Sequence, residues 1–105
     1  MSYSVVVTES ADHDFRVHFE WIKERSPQGA DNWRDRMIAG IESLTENPER
    51  HSPGRESPAF PVKIRCLLVG KQRSQFRILF CIMDDDVNVL AIRRPAQDFL
   101  RPANL

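Results

Sequence analysis

The sequence predicts one α+β domain in which a helical hairpin covers one face of an antiparallel sheet, in the order β-α-α-β-β-β. Three observations predict it. Residues 3–8 are β-branched and aromatic, residues 9–46 carry apolar side chains at helical spacing, and residues 62–94 hold three apolar runs separated by short polar turns. A chain of 105 residues buries one core and leaves no room for a second, so residues 1–105 form a single domain.

Tyr3-Ser4-Val5-Val6-Val7-Thr8 opens the chain as a strand, because β-branched side chains suit a pleated surface better than a helix. From Glu9 the apolar residues fall at Ala11, Phe15, Phe19 and Ile22, the stripe of an amphipathic helix. Thr8 or Ser10 can cap it, and Glu9, Asp12 and Asp14 suit the positive end of its dipole. Ser26-Pro27 ends this helix and starts another, with Ser as the cap and Pro in the first turn. The second helix runs to about Glu46 on the stripe Ala30, Trp33, Met37, Ile41 and Leu44, and Asn47-Pro48 stops it. So short a break between helices predicts an antiparallel hairpin.

Residues 47–61 hold Pro48, Pro53, Pro58, Pro61 and Gly54, which makes them a loop, and one long enough to carry function. Val62 to Val69 then alternates, with Val62, Ile64, Cys66 and Leu68 on one face and Lys63 and Arg65 on the other. After the polar turn 70–74, Gln75 to Met83 places Phe76, Ile78, Phe80 and Ile82 on one face and Arg77, Leu79 and Cys81 on the other. Asp84-Asp85-Asp86 is a turn, and Val87 to Arg94 is the last strand, stopped by Pro95. Short turns between successive strands predict a meander with one face on the helices and the other open for binding.

Composition narrows the function classes. Hydrophobic content of 41% and charged content of 29% are those of a globular protein. No run approaches the roughly 20 apolar residues that span a bilayer, and the N-terminus has no basic segment followed by an apolar one. The expected location is therefore the cytoplasm, with no membrane partner. Cys66 and Cys81 sit in apolar runs and read as buried thiols. His13, His18 and His51 lack metal-ligand spacing and no Gly-rich phosphate loop occurs, so neither metal nor cofactor is expected. Glu20, Glu24, Asp31 and Asp35 read as solvated helix faces, and Trp21 and Trp33 as helix-core residues.

Formal net charge is zero, yet it is divided unevenly along the chain. Residues 1–60 carry 7 Lys and Arg against 11 Asp and Glu, whereas residues 61–105 carry 8 against 4. If both apolar strand faces point at the hairpin, Arg65 and Arg77 emerge together on the open face, with Arg93 or Arg94 at its border. Guanidinium groups converging there suit phosphate, since each planar fork binds two oxygens and keeps its charge. Lys63, Lys71, Arg73 and Arg93 would extend the contact to nucleic acid, and His51 or Lys63 would assist proton transfer. The competing reading is that these charges are the solvated face of half-exposed strands.

The arrangement resembles the RelE/ParE toxin superfamily over essentially the whole chain. The residues that carry the resemblance are Val5-Val6-Val7-Thr8 before the Ala11 helix, Trp21-Ile22, Ala30-x-x-Trp33 and Ile41-x-x-Leu44-x-x-x-Pro48. Ile64-Arg65-x-Leu67-x-x-Gly70-Lys71, Phe76-Arg77-Ile78-Leu79-Phe80, Asp85-Asp86-Val87-x-Val89-Leu90 and Ile92-Arg93-Arg94 complete it. The resemblance implies the toxin half of a type II toxin–antitoxin pair, a cognate antitoxin as partner, and growth arrest by the free toxin. RelE-like members cut messenger RNA on the ribosome without a metal, and on that pattern Arg65, Arg77 and Arg94 would be catalytic. ParE-like members instead inhibit DNA gyrase, and a chain that has lost activity is the third alternative. Arg94 stands where cleaving relatives often carry His, and Phe76 and Phe80 replace frequent tyrosines.

Overall fold

The computed structural model describes residues 2–71, 74–95 and 102. Strand β1 (Ser4–Val7) leads into helices α1 (Glu9–Arg25) and α2 (Pro27–Glu42). Three short 3-10 turns at Ser43–Thr45, Pro48–Arg50 and Ser57–Ala59 precede β2 (Arg65–Val69), β3 (Phe76–Met83) and β4 (Asp86–Arg93). The predicted element order holds. Thr8 caps α1 by accepting from the Ala11 N–H at 3.2 Å, and Ser26 caps α2 by accepting from the Gly29 N–H at 3.0 Å. The second helix ends at Glu42, short of the expected Glu46, because its last turn tightens to 3-10 geometry. Asn47, at φ 47°, then turns the chain into Pro48.

The sheet order is β1-β4-β3-β2. The pairs β2/β3 and β3/β4 are antiparallel, as the short turns require. β1 runs parallel to β4, so the sheet is mixed and not wholly antiparallel. Everything between those two strands acts as the long crossover that parallel neighbours need.

The helices pack on one face only. Ala11, Trp33, Met37 and Leu44 meet Ile78, Phe80, Val87, Val89 and Ile92 in the main core. Full burial of Phe80, Met37, Leu44 and Ile78 stabilises the fold by about 1.5–3 kcal/mol for each side chain. The opposite face is not open, contrary to the sequence expectation. There Ile64, Leu79, Cys81 and Ala91 form a second core that Phe60, Cys66 and Leu90 extend. Residues 52–60, called the strap below, lie over it. Cys66 N–H donates to the Ser52 carbonyl at 3.1 Å, Gly54 N–H to the Ile64 carbonyl at 2.8 Å, and Ile64 N–H to Ser57 Oγ at 3.0 Å. A Cβ on Gly54 would sit 3.3 Å from Cys66 Cβ, so the strap backbone rests directly on the sheet.

Two departures in the strands follow from this second core. In β4 the register shifts, with Phe80 opposite Val89 and Leu79 opposite Ala91, which leaves Leu90 as an extra residue. The bulge lets Leu90 and Ala91 both serve the strap side, which accounts for the consecutive apolar residues Val89, Leu90, Ala91 and Ile92. In β2 the faces are reversed relative to expectation. Leu67 pairs with Ile78 and Val69 with Phe76, so these two point at the helices, while Cys66 pairs with Leu79 beneath the strap.

Candidate functional site

The reversed strand separates the residues that were to form one basic face. Arg65 shares its face with Leu67 and Val69, on the helix side of the sheet. Its guanidinium donates to the carbonyls of Glu49 at 3.0 Å and His51 at 2.7 Å, so it ties the loop after α2 to β2. Arg77 points to the other side. It is 8% exposed, and its Nη2 donates to both carboxylate oxygens of Glu56, which is itself 1% exposed. The expectation that Arg77 emerges with Arg65 on an open face of the sheet is therefore corrected, and the group that it meets is a neighbouring acid. The cost of burying a guanidinium is met by a carboxylate that the strap delivers from 21 residues away.

The remaining candidates divide among separate surfaces. Arg93 is the cross-strand neighbour of Arg77 and is half-buried on that side. Arg94 is exposed at the opposite side, where it borders a cavity of about 200 Å³ lined by His13, Asp14, Val17, His18 and Trp21. Lys63 precedes β2 and Lys71 lies in the β2–β3 turn, both exposed. Arg73 lies outside the described residues. Of the three proposed catalytic arginines, the structure brings no two to a common surface.

His51, a candidate for proton transfer, packs edge-on against Phe80 with ring centroids 5.8 Å apart. Its Nε2 is buried without a hydrogen-bond partner. Burial, then the charges of Arg50 and Arg65, lower its pKa, so the ring is held neutral by its surroundings. Burial also pushes the Cys66 thiol up, against the pull of the neighbouring Arg77. Among the described residues no group of three His, Cys, Asp or Glu side chains could hold a metal ion, and no helix is long and apolar enough to cross a membrane.

Sequence reasoning missed a pair on α1. β4 extends past the end of β1, which leaves the Ile92 peptide groups without a strand partner on that side. Asp14 Oδ2 accepts from the Ile92 N–H at 3.0 Å, and His18 Nε2 donates to the Ile92 carbonyl at 2.8 Å. Two side chains one helical turn apart thus replace the missing strand. His18 is 5% exposed and meets Phe76 edge-on at 5.4 Å, and burial lowers its pKa. A signal was present, since positions 14 and 18 follow Ala11 by 3 and 7 and share its helix face.

Residues 5–99 match the family described as the ParE toxin of the type II toxin-antitoxin system parDE. The chain belongs to the ParE toxin family. Its fold is shared by solved structures of low sequence identity. A chain of the chromosomal ParDE toxin–antitoxin system from P. aeruginosa superposes with a TM-score of 0.70 at 18% identity, covering 89% of this chain and 96% of that one. A chain of the RelBE2 toxin–antitoxin complex from Mycobacterium tuberculosis superposes with a TM-score of 0.54, also at 18% identity, covering 90% of this chain and 99% of that one. No curated protein sequence matches the chain. For a ParE-family toxin the sealed second face bears directly on mechanism, because it withdraws Arg77 from solvent.

Proposed function

We propose that this toxin arrests growth in the ParE manner, by binding DNA gyrase through surface contacts, and that a cognate antitoxin neutralises it. The carrying observation is the disposition of the arginines. A metal-free ribonuclease needs cationic groups converging on one phosphate and a separate base within hydrogen-bond reach. Here Arg77 is held by Glu56 under the strap, Arg65 is held by two carbonyls on the far face, and Arg94 lies beside α1. His51, the nearest candidate base, is packed against Phe80. A binding function makes no such demand, since it uses exposed surface that this fold has on the helices and strand edges. The match to the ParE family supports the same reading.

The test is induction of the chain alone, followed by mapping of messenger-RNA ends and of gyrase-dependent DNA breaks in the same cells. Expected are DNA breaks and inhibited supercoiling by purified gyrase, with no new RNA ends at translated codons. RNA cleavage without gyrase inhibition would reverse the assignment. Co-expression with the adjacent small reading frame should abolish arrest and yield a complex.

A further inference from the structure

On the helix side of the sheet, a cavity of about 180 Å³ lies where the first turns of α2 meet the end of β2 and the turn into β3. Ile22, Trp33, Val69 and Phe76 make its apolar walls. Gly29 and Gly70 also line it, and neither carries a side chain to fill the space. Trp33 is held between Phe15 and Phe76, whose ring centroids lie 5.0 and 5.3 Å from its own. It is 7% exposed, and its Nε1 is buried without a hydrogen-bond partner. A buried N–H with no acceptor is costly and uncommon, so each case calls for an explanation. This donor belongs to a residue that walls a cavity, and a bound acceptor would satisfy it.

The lining selects the charge and size of the ligand. Among the described residues around the cavity Arg36 is charged and none is an acid. The cavities beside α1 differ, since each includes Glu20, Glu24 or Asp14. The acids nearest in sequence to Arg36 are engaged elsewhere, with Asp31 and Asp35 lying 3.4 and 3.6 Å from Arg34. Arg36 is exposed, and its Nε donates to the Asn32 carbonyl at 3.4 Å, so its terminal fork faces no carboxylate among the described residues. Positions 33 and 36 are three apart and neighbours on the surface of α2, which sets a charged fork beside the indole donor. An apolar cavity of about 150 Å³ holds benzene, so this one has room for a single six-membered ring. We infer that the cavity is a binding site for a free small molecule that joins one aromatic ring to a carboxylate. The ring packs on Ile22, Val69 and Phe76, a carboxylate oxygen accepts from Trp33 Nε1–H, and Arg36 takes the charge. A neutral ring would use the walls alone, and an ammonium would meet Arg36 as a like charge. The site lies across the sheet from the strap, and the inference does not depend on the identity of the toxin's target.

The test titrates the nitrogen-15-labelled full chain with benzoate, benzamide, acetate and benzylammonium, and follows the Trp33 indole N–H resonance. The spectrum of Trp33→Phe distinguishes that resonance from the one of Trp21. Expected is a saturable shift of the Trp33 indole and of the Gly29 and Gly70 amides with benzoate, with Kd on the order of 1 mM for a ligand of so few atoms. Benzamide, acetate and benzylammonium should each bind at least about tenfold more weakly, since each lacks the ring or the negative charge. Arg36→Gln changes an exposed side chain, so it should fold like the parent, weaken benzoate about tenfold and leave benzamide unaffected. Trp33→Phe removes the donor and keeps an aromatic wall, and it should weaken benzoate as well. If that variant unfolds, the ligand series and Arg36→Gln still decide the matter. An unmoved Trp33 indole at 10 mM benzoate, shifts that never saturate, equal binding of benzoate and benzamide, or benzoate binding unchanged by Arg36→Gln would each overturn the inference.

Discussion

Removing either half of the Arg77–Glu56 pair should damage the fold more than most single substitutions in this chain. Arg77→Ala leaves Glu56, 1% exposed, as a buried carboxylate with its main partner gone, and Glu56→Ala does the same to the guanidinium. Breaking a buried pair from one side costs about 3–5 kcal/mol, against a total stability of roughly 5–15 kcal/mol for a domain of this size. At about 4 °C per kcal/mol the midpoint should fall by roughly 12–20 °C. Removing both should cost much less than the two losses added together, because neither charge is then stranded. Replacing the pair by Arg77→Met with Glu56→Leu should be near neutral, since apolar side chains suit the adjoining Leu79, Cys66 and Cys81. Urea unfolding followed by circular dichroism gives all four corners of the cycle. Single variants within about 1 kcal/mol of the parent, or losses that simply add, would show that the pair is solvated and the strap open. The folded Met/Leu variant also separates functions: it should arrest growth like the parent, whereas loss of arrest with the fold intact would restore Arg77 to the functional surface.

Three further outcomes follow from the same contacts. Burial lowers the pKa of His18 from 6.5, so as pH falls below about 6.5 the unfolded chain takes up a proton that the folded chain refuses. Stability should therefore decline from pH 6.5 down to the folded-state pKa. His51 adds a decline of the same sign, and His18→Phe should flatten the profile only in part. Asp14→Ala should cost about 1.5–3 kcal/mol, the range for a hydrogen bond to a charged group, and should raise the exchange rate of the Ile92 amide more than that of Ile78. Gly70→Ala should cost about 1–3 kcal/mol by thermal unfolding, because φ there is +110° and the new Cβ would fall 2.7 Å from the Ser74 carbonyl oxygen.

What was legible in the sequence, and what was not, divides along one physical line: periodicity reveals which residues share a face, but not what covers that face. The stripes of α1 and α2 placed those helices correctly, because each had an apolar side and a polar side to compare, and in β3 Phe76, Ile78, Phe80 and Ile82 outweighed a second face that carries Arg77 beside Leu79 and Cys81. β2 offered no such contrast. Ile64, Cys66 and Leu68 alternate with Leu67 and Val69, so both faces are apolar, and the two charges Lys63 and Arg65 broke the tie in the wrong direction. Both faces are apolar because both are covered, one by helices and one by the strap. The strap itself read as a solvent loop, being rich in Pro, Ser and charge, and nothing local to Glu56 announces that it meets Arg77 across the sheet. The same logic bears on the candidate site. A face judged open because no helix was left to cover it drew Arg65 and Arg77 into one phosphate cradle, and that cradle vanishes once a polar loop proves able to bury the sheet. A basic residue at an alternating strand position therefore marks a binding face only after the polar loops before it have been searched for a carboxylate that could follow it inside.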